Sequence, residues 1–361
     1  MSVVSAPVAL WYAPVADVGG VARHLCDAAR AGTPGFRLVF AVPEGPLADE
    51  LRTIGAAVVT GPFSPQDGPR RSVPALRRLL RALRPSVLHS HLAYADLVAA
   101  AAVTGRKAAD SARIRLITTE HGIAADAQLY QSNALTATLK QQLHALRLRR
   151  SDRLIAVSDS TREQVLAQWG SGAPVTVIRN GIDRPADPAP ARSGLRVLSL
   201  ARLAPEKRIS ALLDAFALVA AEHPGAQLTL AGEGPLREDL DAQVKHLNLA
   251  ERVTLPGVMD GPAAIAEHDV VVQLSAWENL SYTLLDAAAA GLGVVATDVG
   301  GNREITQGVG LVSAADPAAV AAMIVRQGLE PDQRPLLPDS VPSVSGMTEQ
   351  IAEVYREAMN R

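Results

Sequence analysis

Short aliphatic runs alternate with longer stretches of helical period along almost the whole chain, and one proline-rich break interrupts the pattern. Before the break the apolar runs are Val8–Tyr12, Arg37–Val42, Ala57–Thr60, Ser86–His89, Arg115–Thr118, Arg153–Val157 and Val175–Ile178. Between them lie helical stretches such as Val21–Ala31, Pro74–Leu83, Thr136–Arg149 and Thr161–Trp169. After it the runs are Arg196–Leu200, Gln227–Ala231, Arg252–Leu255, Val270–Leu274 and Gly293–Thr297. Their helices include Ile209–Glu222, Leu236–His246, Pro262–Glu267 and Tyr282–Ala290. Continuous apolar strands separated by helices predict parallel α/β sheets covered on both faces.

The break, 184–194, holds three prolines and no hydrophobic period, so it reads as a linker. The expected domains are 1–184 and 195–346, each doubly wound, and 361 residues are enough for two of ordinary size. A last helix, Thr348–Met359, follows a second proline-rich stretch after the second pattern is complete, which frees it to pack elsewhere. Two such domains would form a cleft between facing strand ends. Ligands of open α/β sheets bind beyond the carboxyl ends of strands, so the loops there carry the candidate chemistry.

Composition removes several function classes. The 35 basic and 37 acidic residues leave a net charge of −2, which gives no global attraction to nucleic acid. Aromatic residues are only 3%, poor material for stacking single-stranded bases. A single cysteine, Cys26, excludes an internal disulfide and any multi-cysteine metal site. The first residues lack a basic targeting region, and no apolar window approaches the roughly 20 residues of a membrane span. A cytoplasmic protein is expected, with room for peripheral contact at the inner face of a membrane.

Gly19 and Gly20 open a helix straight after the first strand, as a phosphate-approaching loop or as a tight turn. His89 and His91 end the fourth strand region, where they could bind metal, line a polar pocket or serve structure. His121 precedes Gly122 at the end of the next strand, placed either to hydrogen-bond a polyhydroxy ligand or to serve structure. Arg202 and Lys207 leave the second domain's first strand beside a helix start. They fit a diphosphate, or are two solvated cations. Glu278 lies in the loop after Val270–Leu274, Ser281 is a good N-cap, and Asp286 lies in the second turn of the helix that follows. Both acids could face one bound nucleotide-sugar; a lone pair at this spacing is usually surface charge. Asp239-Leu-Asp241 has the letters of a metal-binding loop but sits in a helical stretch, and no metal site is expected.

Taken in order, Gly19-Gly20, His121-Gly122, Val157-Ser158, Asn180-Gly-Ile-Asp183, Arg202 with Pro205-Glu-Lys207, Gly232-Glu-Gly-Pro235, Gly257-Val258 and Glu278 through Glu304 resemble the family-4 retaining glycosyltransferases of GT-B fold over nearly the whole chain. The resemblance implies two Rossmann-like domains facing across a cleft, with helix 347–361 returning to the first. It implies a metal-independent hexosyltransferase without cofactor, moving sugar from a UDP- or GDP-linked donor to a sugar, lipid-linked sugar or small-molecule acceptor in polysaccharide, glycolipid or glycoside biosynthesis.

The implied roles follow the motifs. Gly19 and Gly20 approach the diphosphate or the sugar, and His121 bonds the sugar. Arg202 and Lys207 hold the diphosphate, and Glu278 contacts sugar hydroxyls. Asn279, Leu280, Ser281 and Tyr282 offer backbone N–H groups, and Val258 lies near the base. The acceptor is expected beside His91 and Tyr94. The family's second acid, usually glutamate, is Asp286 here, one methylene shorter, at the position that binds ribose. That change is the only support for an alternative, a nucleotide-sugar-binding protein with little or no turnover. A Rossmann oxidoreductase would need a third glycine after Gly232-Glu-Gly234, where Pro235-Leu-Arg237 stands.

Overall fold

The computed structural model describes residues 6–104, 113–122, 145, 147–170, 172–185 and 192–360. Of the expected helix Thr136–Arg149, residues 136–144 and 146 lie outside the described residues, as do 186–191 of the proline-rich break. The chain divides into two compact units, 1–181 with 342–361, and 182–341. The units thus meet a few residues before the boundaries expected at 184 and 346. One cause is Gly181, where a Cβ would meet the backbone of Ser343 and Val344, so this residue is packed within the first unit.

The first unit runs β1 (Val8–Tyr12), α1 (Gly20–Ala31), β2 (Arg37–Val42), α2 (Pro46–Thr53), β3 (Val58–Thr60), α3 (Pro69–Leu83), β4 (Val87–His91), α4 (Ala93–Val103), β5 (Arg115–Glu120), β6 (Arg153–Ala156), α5 (Asp159–Trp169) and β7 (Val175–Val177). Its seven parallel strands are ordered β3-β2-β1-β4-β5-β6-β7. All five residues of β1 are buried, as a central strand requires. Side-chain alternation sends Ala9 and Trp11 to one face and Val8, Leu10 and Tyr12 to the other.

The second unit runs β8 (Arg196–Leu200), α6 (Ile209–Glu222), β9 (Gln227–Ala231), α7 (Arg237–His246), β10 (Val253–Gly257), α8 (Gly261–Glu267), β11 (Val270–Gln273), α9 (Tyr282–Ala289), β12 (Gly293–Thr297), α10 (Asn302–Thr306), β13 (Leu311–Val312) and α11 (Pro317–Leu329). Its strands, also parallel, are ordered β10-β9-β8-β11-β12-β13. In each sheet the winding direction reverses beside the unit's first strand, at β1/β4 and at β8/β11. Such a reversal is where doubly wound sheets open a crevice for ligands.

The final helix, α12 (Val344–Met359), belongs to the first unit. Met347, Ile351, Val354, Tyr355 and Ala358 form its apolar stripe and join Trp11, Leu25 and Phe40 in one core. It starts four residues before the expected Thr348 because Ser343 caps it, accepting from the Gly346 N–H at 3.0 Å. Likewise α3 begins at Pro69, a favoured first position, and takes in Pro74 rather than starting there. The histidine-bearing strands also run on, β4 to His91 and β5 to Glu120. No helix among the described residues is long and apolar enough to cross a membrane.

Candidate functional site

In the second unit the candidate residues gather at the carboxyl ends of β8 and β11, on either side of the winding reversal. Arg202 follows β8, is exposed, and pairs with Glu206 of the short turn Pro205–Lys207. Lys207 ends that turn and pairs with Glu278, in the loop after β11. Glu278 Oε1 also accepts from the Ser275 hydroxyl at 2.8 Å. The Ala276 N–H donates to the Glu206 carbonyl at 2.7 Å and the Thr297 hydroxyl to the Ser275 carbonyl at 2.6 Å. These bonds fix the 275–278 loop between the β8 turn and β12. Burial favours the neutral acid at Glu206, but its hydrogen bonds, including that from Arg202, win and hold the carboxyl below its ordinary value.

Helix α9 starts at the same place. Ser281 is its N-cap, accepting from the Leu284 N–H at 3.3 Å while its hydroxyl donates to Gln273 at 2.8 Å. The expected cap is present, and Asn279, Leu280, Ser281 and Tyr282 are all buried. The Asn279 carbonyl accepts from the Gly301 N–H. Gly300 has φ +55°, and a Cβ there would overlap the Glu278 carbonyl, so only glycine lets the next loop pass so close. Asp286 is partly buried one turn into α9. Val258, just past β10, is 79% exposed.

The first unit brings together a second set. Gly19 precedes α1 with extended backbone, and a Cβ there would meet nothing within 4 Å. Neither packing nor strain demands glycine at this position, which is the N-cap of α1. His24 on α1, His91 at the end of β4 and His121 just past β5 converge around Trp11. His91 Nδ1 lies 2.9 Å from His121 Nε2. The His91 ring is completely buried; the expectation that it lines an open polar pocket meets a ring covered by its neighbours, with His121 as its polar contact. Tyr94 is half-buried, its hydroxyl 2.8 Å from that of Ser72. His89 is occupied on both nitrogens, by the Tyr355 hydroxyl at 2.5 Å and the Thr119 hydroxyl at 2.7 Å.

Burial pushes the imidazoles toward neutrality. His24 falls to about 4, a shift that its hydrogen bond with Asn180 only partly offsets. His89, His91 and His121 fall well below their ordinary value, burial again leading and neighbouring imidazoles adding to it.

Beneath this group lies a buried charge network that the sequence reading missed. Arg147 pairs with Asp96 and, at 2.6 Å, with Glu120. Asp96 also accepts from the Ser90 hydroxyl at 2.6 Å and the Thr118 hydroxyl at 2.5 Å. Burial raises the Glu120 carboxyl against the pull of Arg147. The network fixes the end of β5, from which His121 projects. His24 was also missed, since its neighbour Arg23 and the helical period suggest an ordinary helix residue; only the fold places it beside two other histidines.

Residues 18–184 match the profile of Glycosyltransferase Family 4 and residues 194–327 that of Glycosyl transferases group 1. A glycogen synthase of Mycobacterium tuberculosis is 32% identical over 259 residues, which is 68% of this chain and 60% of that protein. The chain therefore spans less than two thirds of that relative. Among solved structures, Anabaena Alr3699/HepE in complex with UDP and glucose superposes with a TM-score of 0.72 at 19% identity, covering 98% of this chain and 97% of that one. Sucrose-phosphate synthase from Thermosynechococcus elongatus gives 0.76 at 21% identity, covering 98% and 99%. At these identities the superpositions speak for the fold.

Proposed function

Because the chain belongs to the family-4 glycosyltransferases of GT-B fold, we propose that it is a retaining transferase moving a sugar from a nucleoside-diphosphate donor, UDP- or GDP-linked, to an acceptor hydroxyl. The observation that carries this reading is the constellation of Arg202, Lys207, Glu278 and the capped start of α9 at two adjacent strand ends. As the glycosidic bond breaks, negative charge grows on the departing diphosphate. Arg202 and Lys207, each held by an acid, and the amide N–H groups at the start of α9 supply the positive field that stabilises it. Arg202 offers a planar fork to phosphate oxygens and Lys207 a point charge.

Glu278 has two duties in this scheme. It holds Lys207 in place and presents a carboxylate for sugar hydroxyls. His121, kept neutral, can donate to or accept from a sugar hydroxyl without adding charge. His91 acts through His121 as a positioning residue. The departing phosphate oxygen takes the acceptor hydroxyl's proton on the same face, so configuration is retained and no metal is required. The acceptor is a sugar, lipid-linked sugar or small molecule, and the site of action is the cytoplasm or the inner face of a membrane.

The test is incubation of the purified chain with UDP- and GDP-sugars, following release of nucleoside diphosphate and the anomeric configuration of the product by NMR. Release with an α-linked product from an α-linked donor is expected. Nucleotide-sugar binding without release under any acceptor mixture would favour the binding-protein alternative, and an inverted product would exclude the same-face route. A thermal-shift screen identifies the donor first, since a ligand at 100 times its Kd stabilises by about 2.7 kcal/mol.

A further inference from the structure

We propose that His24, His91 and His121 form a binding site for a divalent transition metal, Zn2+ in the first instance, within the first unit. One ring nitrogen from each residue lies within 4.8 Å of the others. Two zinc–nitrogen bonds of about 2.0–2.1 Å at a tetrahedral angle would put their nitrogens about 3.3 Å apart. The observed spacing brackets this: His91 Nδ1 and His121 Nε2 are 2.9 Å apart, and small side-chain rotations open that pair and draw His24 in. The fourth imidazole nearby is excluded as a ligand, because His89 spends both nitrogens on Tyr355 and Thr119.

The chemistry of the three groups suits the ion. Zinc takes neutral imidazole nitrogens, and three protein ligands with one open position is a familiar set for it. No net proton is lost on binding, since each neutral ring keeps its proton on the nitrogen turned away from the metal. Binding through Nδ1 keeps the His91 proton on Nε2, which is buried without a hydrogen-bond partner, so the metal–nitrogen bonds must outweigh that N–H and the lost His91–His121 contact. Entry is from the side of His121, which is partly exposed while His24 and His91 are not.

The consequence rests on the proposed transfer reaction: a metal held by His121 occupies the imidazole that would meet the donor sugar, so Zn2+ inhibits transfer. The full chain, freed of metal by a chelator, is titrated with Co2+ and followed by its visible absorption, and Zn2+ is then added in competition. One tetrahedral Co2+ per chain is expected, displaced by Zn2+. His24→Gln removes a ligand and should weaken binding by more than the roughly 10–100-fold that loss of an outer-shell partner costs. His24→Leu is the second variant, and circular dichroism establishes that each folds. Where transfer is measurable, both variants should keep it and lose its inhibition by Zn2+.

Absence of a Co2+ spectrum, or equal binding by wild type and both folded variants, overturns the site. Zn2+ inhibition that persists in the His24 variants overturns its role in regulation. His24-dependent Co2+ binding in a chain that transfers no sugar upholds the site and counts against the reaction instead.

Discussion

Lys207 and Glu278, 71 positions apart, form an ion pair in which the accepting carboxylate oxygen also receives the Ser275 hydroxyl at 2.8 Å. The pair joins the loop after β8 to the loop after β11 and sets the position of the cation expected to face a diphosphate. Lys207→Ala should lower kcat by roughly 10²–10³, in line with loss of one preorganised charge donor, and Arg202→Ala similarly. Lys207→Ala has an added cost, because it leaves Glu278 without its cation. A double-mutant cycle of Lys207→Ala with Glu278→Gln should therefore be non-additive. Steady-state kinetics of the four proteins checks this; near-wild-type turnover in both single cation variants would remove leaving-group stabilisation from this site.

Asp286 occupies the second turn of α9, where the family's usual glutamate would reach further. Asp286→Ala should weaken nucleoside-diphosphate binding more than it slows transfer, and Asp286→Glu should be tolerated. Calorimetric Kd values for the free diphosphate decide between this and a contact the shorter side chain has given up, in which case affinity is unchanged.

Arg147 pairs with two buried acids, Asp96 and Glu120. Arg147→Met should destabilise the first unit by about 3–5 kcal/mol, the cost of stranding buried charge. Urea unfolding measures the change. The triple variant Arg147→Met with Asp96→Asn and Glu120→Gln should recover part of the loss, since it removes the charges that were stranded.

Asp269, at the start of β11, is almost fully buried, which by itself would raise its carboxyl. The two-pronged Arg196 guanidinium, at 2.7 and 3.0 Å, and the Arg196 backbone N–H, at 3.0 Å, outweigh burial and hold it below its ordinary value. A depressed folded value means the contribution to stability is present above the unfolded value, about 3.9, and lost as pH falls through the folded one. The thermal midpoint of the wild type should accordingly fall more steeply below about pH 4 than that of Asp269→Asn, which has no such carboxylate to lose. Parallel curves would mean that Asp269 does not govern this window.

Helix α3 and its C-cap carry four closely spaced arginines, Arg77, Arg78, Arg81 and Arg84. The structure spends Arg77 on the carbonyls of Ala101 and Ala102, at 2.8 and 3.4 Å, where it caps α4. Arg78, Arg81 and Arg84 remain exposed. At about 1 kcal/mol for each cation beside anionic lipid, three give weak, salt-sensitive attachment. Wild type should cosediment with anionic liposomes at low salt, and the variant with all three changed to Gln should not. If both stay in solution, the acceptor is to be sought among soluble molecules.

The amino-acid sequence already carries the elements, their order and the parallel character of both sheets. Runs such as Val8–Tyr12 and Gly293–Thr297 are apolar at every residue or nearly so, and only strands covered on both faces have use for that. It also determined the motifs at strand ends, because N-caps such as Ser281 act over a few residues. What it could not decide were the partners that meet across long separations. Nothing local links Lys207 to Glu278, or His24 to His91 and His121, or Arg147 to Asp96. Each joins elements far apart in sequence that the fold sets side by side, and that placement is fixed by packing of whole helices and sheets. The return of α12 to the first unit is of the same kind. Its apolar stripe is visible in the sequence, but the face it covers is settled only once Trp11, Leu25 and Phe40 have been assembled from three separate elements.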